Sequence, residues 1–154
     1  MAAPPQQHAA SPLPVWLDCD PGHDDALAIM LAAHSPAHVH LLGISTVHGN
    51  QTLAKTTLNA ARVLAMAGVR GVAVVPGAAK PLLRPARVCA EIHGASGLDG
   101  PDVAVHACHD GAHAPPVTDK AVTRMHAALC SAHAARRGGT QRPTLRLAAR
   151  PRPR

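Results

Sequence analysis

The chain has 154 residues, a length typical of a single domain, and a formal net charge of +6. Seven of its 15 basic residues are arginines of the segment 136–154, which contains no acid, so the rest of the chain is close to neutral and lacks the folded basic face of a nucleic-acid-binding protein. The sequence has no secretory signal and no apolar run of about 18 residues, and we therefore expect a cytoplasmic protein with neither a membrane nor a nucleic acid as its partner.

Strands and helices alternate along most of the chain. The predicted elements, in chain order, are a strand at 14–18, a helix at 24–34, a strand at 39–47, a helix at 51–67, a strand at 72–77, an irregular segment at 78–102 and a helix at 119–135. This order predicts an α/β fold with an open parallel sheet and flanking helices. We expect the domain to occupy residues 14–135, between a disordered segment at 1–13 and a basic, disordered tail at 136–154.

The first two predicted helices have apolar residues at helical spacing. In the first helix, Leu27, Met30 and Leu31 share one apolar face. In the second, the following apolar residues alternate with polar ones: Leu53, Leu58, Val63 and Met66. Asn50 precedes the second helix and is predicted to cap its N-terminus. After Gly138 the pattern predicts neither a strand nor a helix.

Four aspartates surround the chain reversal after the first predicted strand, in the stretch LDCDPGHDDA: Asp18, Asp20, Asp24 and Asp25. Ligands of open parallel sheets bind outside the carboxyl ends of the strands. Capping of a helix N-terminus explains one or two of these aspartates. A bound hard cation such as Ca²⁺ or Mg²⁺ explains the cluster, because carboxylates are its preferred ligands. A phosphotransferase with a nucleophilic aspartate is a further alternative, since it also places DxD after a strand.

The cysteines and histidines give weaker signals. No CxxC pair and no disulfide framework is formed by the four cysteines, which are Cys19, Cys89, Cys108 and Cys130. A zinc site is a minor alternative at 106–113, where the candidate ligands are His106, Cys108, His109 and His113. A second pair of ligands is missing there, so zinc is not our main prediction.

The aspartate stretch belongs to a longer resemblance. LDCDPGHDDALAIM, at 17–30, resembles the N-terminal signature of the inosine–uridine preferring nucleoside hydrolases. Three further stretches are similar to this family in the same order: GISTVHGNQTLAKTTLNA at 43–60, VVPGAAKPLLRP at 74–85 and EIHGASGLDGP at 91–101. The resemblance covers about residues 14–103 and places the phosphotransferase alternative well below it.

The resemblance implies hydrolysis of the N-glycosidic bond of a purine or pyrimidine ribonucleoside, with one Ca²⁺, as part of nucleoside salvage. By matching position, Asp20 would contact the ion and act as the general base, and Asp25 would chelate the ion. Asp24 would hold the ribose hydroxyls, and Asn50 would lie beside the ribose and the ion. His93 matches a histidine near the nucleobase, where it would assist the leaving group.

The resemblance weakens toward the C-terminus. Members of the family are much longer, and their second half supplies a further aspartate for the ion, ribose-binding residues and another histidine. The helix at 119–129 resembles the corresponding family helix, but the strand expected next is replaced by RRGGTQRPTLRLAARPRPR. We therefore expect a truncated nucleoside hydrolase, which is either an enzyme or a catalytically inactive fragment with weak Ca²⁺ or ribose binding. Exposed sheet edges in such a chain would favour a homo-oligomer.

Overall fold

The computed structural model describes residues 11–100, 120–138 and 146–147. Its elements are β1 (Leu13–Cys19), α1 (His23–Ala33), β2 (Val39–Thr46), α2 (Leu53–Met66), β3 (Val69–Arg70), β4 (Ala73–Pro76), α3 (Ala90–His93), α4 (Ala121–Gly138) and β5 (Arg146–Leu147). The alternation of strands and helices confirms the predicted α/β fold class.

The main sheet has three parallel strands in the order β1-β2-β4. The pairing of β1 with β2 runs from Leu13 opposite Val39 to Cys19 opposite Thr46, with an irregularity between Val15 and Trp16. Because neighbouring parallel strands end at the same edge, the turns after β1 and β2 emerge side by side. The short strands β3 and β5 form a separate antiparallel pair.

The core is built from small and branched aliphatic side chains, because the chain has no Phe or Tyr. Its cluster joins α1, β2, α2 and β3 through the following buried residues: Ala26, Ile29, Ala33, Leu41, Ile44, Ala60, Val63, Leu64 and Val69. Helix α4 packs against all three strands of the main sheet and contributes nothing to this cluster, as expected for a helix on the opposite face. The sheet is thus held between helices, and its carboxyl edge is left for the turns.

Helix α1 buries a different face from the one that its pattern suggested. Leu27 and Leu31 are 65% and 71% exposed, whereas Ile29 is fully buried between Ala26 and Ala33. The prediction was wrong for Leu27 and Leu31, whereas Met30 is partly buried against the core. Because α1 is apolar on every side after its first turn, periodicity does not select a face. The small side chains of the alanines let the helix approach the sheet and α2 closely.

Helix α2 also departs from its predicted pattern. It begins at Leu53 with Thr52 as its N-cap residue, so Asn50 does not cap it. The reason is that the N–H and side chain of Asn50 bind the turn after β1 instead. Met66 is 64% exposed, and the buried face of the helix includes the polar Asn59. Tertiary contacts with loops therefore override the simple apolar stripe.

Smaller differences concern the element ends. Leu13, assigned to the disordered segment, begins β1, and the irregular segment contains the short helix α3. Helix α4 continues to Gly138, three residues past its predicted end, and β5 lies within the predicted tail. A two-residue strand such as β5 depends on its partner β3, which local sequence does not reveal.

In the described ranges, no helix combines the length and apolar character needed to cross a bilayer.

The buried face of α1 can be tested with two substitutions on this one helix. We expect Ile29→Ala to lower the free energy of unfolding by about 2–5 kcal/mol, because it removes a fully buried side chain. Leu31→Ala should change it by about 0.5 kcal/mol or less, because Leu31 is 71% exposed. Urea denaturation measures both values, and equal losses would contradict the described packing of α1.

Candidate functional site at the carboxyl edge of the sheet

The two turns at the carboxyl edge are joined by Asn50 and Asp20. The backbone N–H of Asn50 donates to Oδ2 of Asp20 at 2.6 Å, and its side-chain Nδ2 donates to the backbone oxygen of Asp20 at 3.1 Å. Both residues are half-buried. A hydrogen bond to a charged acceptor is stronger than one between neutral groups, so the bond from the N–H of Asn50 holds the Asp20 carboxylate in one orientation.

Asp25 points back from the first turn of α1 toward the end of β1. Its Oδ2 accepts a hydrogen bond of 3.0 Å from the backbone N–H of Asp20. The N-cap residue of α1 is Gly22, which has no side chain to cap the helix. Burial raises the pKa of Asp25, the N–H of Asp20 opposes this rise, and the negative charges of Asp20 and Asp24 add to it. Helix capping therefore does not account for Asp25.

The other two aspartates of the stretch lie apart from this pair. Asp24 is exposed on the first turn of α1, and its influence on Asp25 is electrostatic. Asp18 is exposed on β1, where its carboxylate accepts a hydrogen bond from the hydroxyl of Ser45. Trp16 Nε1 donates to the same hydroxyl at 3.0 Å. Asp18 thus has a partner on the neighbouring strand and a structural role in the sheet.

Cys19 lies between the aspartates with its side chain packed against the core cluster. Burial raises the pKa of its thiol to about 12. The carboxylates of Asp25, Asp18 and Asp20 add to this rise. At neutral pH the thiol is therefore protonated and is not a nucleophile, since the thiolate is the reactive form.

His93 reaches the same edge from α3 by passing close to Gly22. A Cβ atom added at Gly22 would lie 2.6 Å from Nδ1 of His93 and 2.8 Å from Nδ2 of Asn50. Only glycine leaves room for both side chains against this turn. The structure thus brings Asp20, Asp25, Asn50 and His93 together, while Asp24 stays exposed beside them.

His93 also pairs with His23, a residue that the sequence did not single out. The two rings stack with centroids 5.3 Å apart, and their Nδ1 atoms are 3.1 Å apart. Nε2 of His23 lies 2.8 Å from the backbone oxygen of Asp99, which can only accept, so Nε2 of His23 carries a hydrogen.

The proton on the Nδ1–Nδ1 contact has two arrangements. With neutral His23, Nδ1 of His93 donates, and Nε2 of a neutral His93 is then a free acceptor. With doubly protonated His23, Nδ1 of His93 accepts, which also suits the His23 backbone N–H at 3.4 Å, and Nε2 of His93 carries the hydrogen. His23 therefore sets which ring atom of His93 can donate a proton.

The loop after His93 is folded by Asp99. Its carboxylate accepts hydrogen bonds from the backbone N–H groups of Ala95 at 2.7 Å and Ser96 at 3.0 Å, and from the Ser96 hydroxyl. These bonds lower the pKa of Asp99, the Ser96 hydroxyl contributing most. Three side chains on α2 or just before it donate to consecutive backbone oxygens of this loop: Gln51, Lys55 and Asn59. The sequence did not single out these three residues. Their i, i+4, i+8 spacing is the signal that could have identified them.

The donor set suits a hard cation. The hydrogen bonds described above use one oxygen each of Asp20 and Asp25, so the second oxygen of each carboxylate and Oδ1 of Asn50 remain available. Oxygen donors of this kind fit Ca²⁺ or Mg²⁺. Within residues 11–100, 120–138 and 146–147, no three His, Cys, Asp or Glu side chains are grouped as in a complete metal site. The alternative zinc site at 106–113 lies outside the described residues.

The family to which these features belong is shown by comparison with known sequences. The sequence model of the inosine-uridine preferring nucleoside hydrolases matches residues 15–145, which is most of the chain. The chain therefore belongs to this family, and the resemblance predicted from its motifs is confirmed.

Individual relatives match a little more than half of the chain. The chain is 55% identical over 91 residues to a probable ribonucleoside hydrolase of Dictyostelium discoideum. This match covers 58% of the chain and 26% of the relative. The chain is 52% identical over 87 residues to the inosine-uridine preferring nucleoside hydrolase of Crithidia fasciculata, covering 56% of this chain and 27% of the relative. A solved plant nucleoside hydrolase superposes with a TM-score of 0.52 and 35% identity over 56% of this chain and 27% of its own. The chain thus spans about a quarter of the length of these relatives.

The close approach at Gly22 gives a test of the site geometry. We expect Gly22→Ala to lower the free energy of unfolding by about 1–3 kcal/mol, because the added methyl group collides with His93 and Asn50. Gly100→Ala is the matched control, since an added Cβ there has nothing within 4 Å. Chemical denaturation compares the two variants, and equal stability would show that His93 does not lie against this turn.

Proposed function

We propose that this protein is a hydrolase that cleaves the N-glycosidic bond of purine or pyrimidine ribonucleosides to ribose and free base, using Ca²⁺. The proposal rests above all on the hydrogen bonds that join Asn50 to Asp20, because they bring two motif-bearing turns to one site. Membership of the nucleoside hydrolase family supports the reaction class. The proposal includes a role in nucleoside salvage in the cytoplasm.

Asp20, Asp25 and Asn50 would hold the ion, through the oxygens that their mutual hydrogen bonds leave available. When bound, Ca²⁺ supplies positive charge that orients a water molecule and lowers its pKa. Asp20 accepts the proton of the attacking water as the general base, and the N–H of Asn50 keeps its carboxylate oriented for this task. The exposed carboxylate of Asp24 accepts hydrogen bonds from ribose hydroxyls.

The sugar and the leaving base are served by different groups. Cleavage of the bond builds positive charge on the ribose, as in other glycoside hydrolysis, and the nearby carboxylates stabilise that charge. The leaving base carries excess electrons and needs a proton or a hydrogen bond. His93 donates a hydrogen bond to the base from Nε2 in the arrangement where His23 is doubly protonated and Nδ1 of His93 accepts. When the Nε2 proton passes to the base, the Nδ1 proton of His23 moves to Nδ1 of His93, so both rings end neutral.

A second candidate function is binding of Ca²⁺ or ribose without turnover. It is favoured by the donor set of the described residues, in which two carboxylates and one amide oxygen supply only part of the six to eight oxygens that Ca²⁺ takes. A partial shell binds weakly and leaves the cluster open to water, which weakens electrostatic stabilisation of a transition state. The homo-oligomer remains a prediction, with β1 and β4 as the edges of the main sheet.

Turnover of uridine and inosine by the purified chain, with increasing Ca²⁺, tests the proposed function. We expect Ca²⁺-dependent hydrolysis slower than the roughly 1–10³ per second typical of enzymes, because the described ligand shell is partial. Asp20→Asn should abolish it, and Asp18→Asn, the matched control, should retain it because Asp18 is bound to Ser45.

The outcomes separate the two candidate functions. Ca²⁺ binding that Asp20→Asn removes, without turnover by the unmodified chain, favours the binding function. Turnover that survives Asp20→Asn contradicts the assignment of the general base. Absence of turnover together with absence of both Ca²⁺ binding and ribose binding contradicts both candidates. Hydrolysis at a rate typical of enzymes would mean that residues beyond the described ones complete the shell.

A further inference from the structure

The inner face of α2 and the turn before it carry buried polar side chains that the apolar core does not explain. Gln51, Thr56 and Asn59 are 3%, 0% and 1% exposed. Burying an amide or hydroxyl is unfavourable unless it forms hydrogen bonds. The hydroxyl of Thr56 donates to the backbone oxygens of Val47 and Leu53, so it serves the connection into its own helix. Gln51 and Asn59 instead bind other segments.

Asn59 binds two of the three segments that carry site residues, the aspartate turn and the His93 loop. Its Nδ2 donates to the backbone oxygen of Pro21 at 3.2 Å and to that of Ser96 at 3.0 Å. Pro21 follows Asp20, and Ser96 lies three residues after His93. An amide NH₂ group has two hydrogens, so one side chain uses both of its donors to fix the distance between the aspartate turn and the His93 loop.

The His93 loop is pressed against α2 at the same place. Gly97 has φ of +88°, and a Cβ atom there would lie 2.9 Å from Nδ2 of Asn59 and 3.0 Å from Cγ of Gln51. Gln51 donates to the oxygen of Gly94 at 3.1 Å, and Lys55 donates to that of Ala95 at 2.5 Å. The loop is therefore held along its length by a rigid helix, and Asn59 alone among these residues also reaches the aspartate turn.

The oxygen of the Asn59 side chain, Oδ1, indicates why an asparagine stands at this position. This oxygen is buried and has no hydrogen-bond partner among the described residues. A buried acceptor without a partner opposes folding, so the side chain is retained for its two donors. Aspartate would set acceptors against two carbonyls, and leucine would fill similar space without any donor.

We propose that Asn59 is a positioning residue, which holds His93 against Gly22 by joining the aspartate turn to the His93 loop. The effect of Asn59 on catalysis rests on the proposed function, whereas its positioning of the His93 loop is independent of that function. The hydrogen bonds of Asn59 go to the backbone of Pro21 and Ser96, so Asn59 acts on the site through these two segments.

The test compares Asn59→Leu and Asn59→Asp with Thr56→Val, a control at a buried polar position of the same helix whose bonds reach neither the aspartate turn nor the His93 loop. Two readouts follow the loop: amide hydrogen exchange at Gly97 and Asp99, and the nuclear Overhauser effect between the His23 and His93 rings. Exchange in β2 reports global stability and normalises the first readout.

We expect both Asn59 variants to exchange at Gly97 and Asp99 roughly tenfold faster after normalisation, and to lose the contact between the rings. Thr56→Val should keep the normalised exchange rates and the contact between the rings, even if its unfolding midpoint falls as far as that of the Asn59 variants. If Asn59→Asp does not fold, Asn59→Leu decides. Unchanged exchange and an unchanged ring contact in Asn59→Leu would overturn the proposal, because Asn59 would then contribute only general stability.

A kinetic measurement separates this proposal from the proposed function. With turnover in the unmodified chain, Asn59→Leu should lower kcat with little change in KM, because His93 acts when the base leaves. An equal kcat in both proteins would contradict a positioning role. Absence of turnover from both speaks against the proposed function alone, and the exchange and ring-contact results then decide the role of Asn59.

Discussion

The candidate site depends on one constraint: Asn50 is bound to Asp20 through both its backbone and its side chain. The pairing of β1 with β2 brings the two turns to one edge of the sheet, but strand pairing alone leaves the side chains free to point elsewhere. The hydrogen bond from the N–H of Asn50 removes that freedom for the Asp20 carboxylate, and the bond from the Asn50 side chain fixes the backbone of the aspartate turn. They also explain why α2 starts at Leu53 and not directly after Asn50.

The close carboxylates are tolerated because backbone N–H groups face them. The N–H of Asn50 donates to Asp20, and the N–H of Asp20 donates to Asp25. The position of Asp24 and Asp25 in the first turn of α1 adds the favourable field of the helix N-terminus. Burial raises the pKa of both Asp25 and Cys19. The neighbouring negative charges raise both pKa values further, which shows that repulsion is still present. A cation would relieve this repulsion, which is the physical argument for the proposed metal site.

Much of this arrangement could be predicted from the sequence, because motif spacing and strand order determine which turns meet. The parallel neighbours β1 and β2, and the meeting of Asp20 with Asn50, followed from that logic. The buried face of α1 did not, because a helix that is apolar on every side has no preferred face. The role of His23 is set by a loop that reaches it from distant sequence, and no local pattern encodes that contact. The spacing of Gln51, Lys55 and Asn59 marks a polar face but not the loop that this face binds.

The central claim is that Asn50, the Asp20 carboxylate that it orients and Asp25 form one binding unit, and calorimetric titration with Ca²⁺ tests it most directly. Asn50→Ala removes the side-chain bond to Asp20 and one oxygen donor, yet leaves Asp20 and Asp25 in place. The account predicts Ca²⁺ affinity at least roughly tenfold lower than that of the unmodified chain, a loss of about 1.4 kcal/mol. Equal affinity of the two proteins for Ca²⁺ would contradict it.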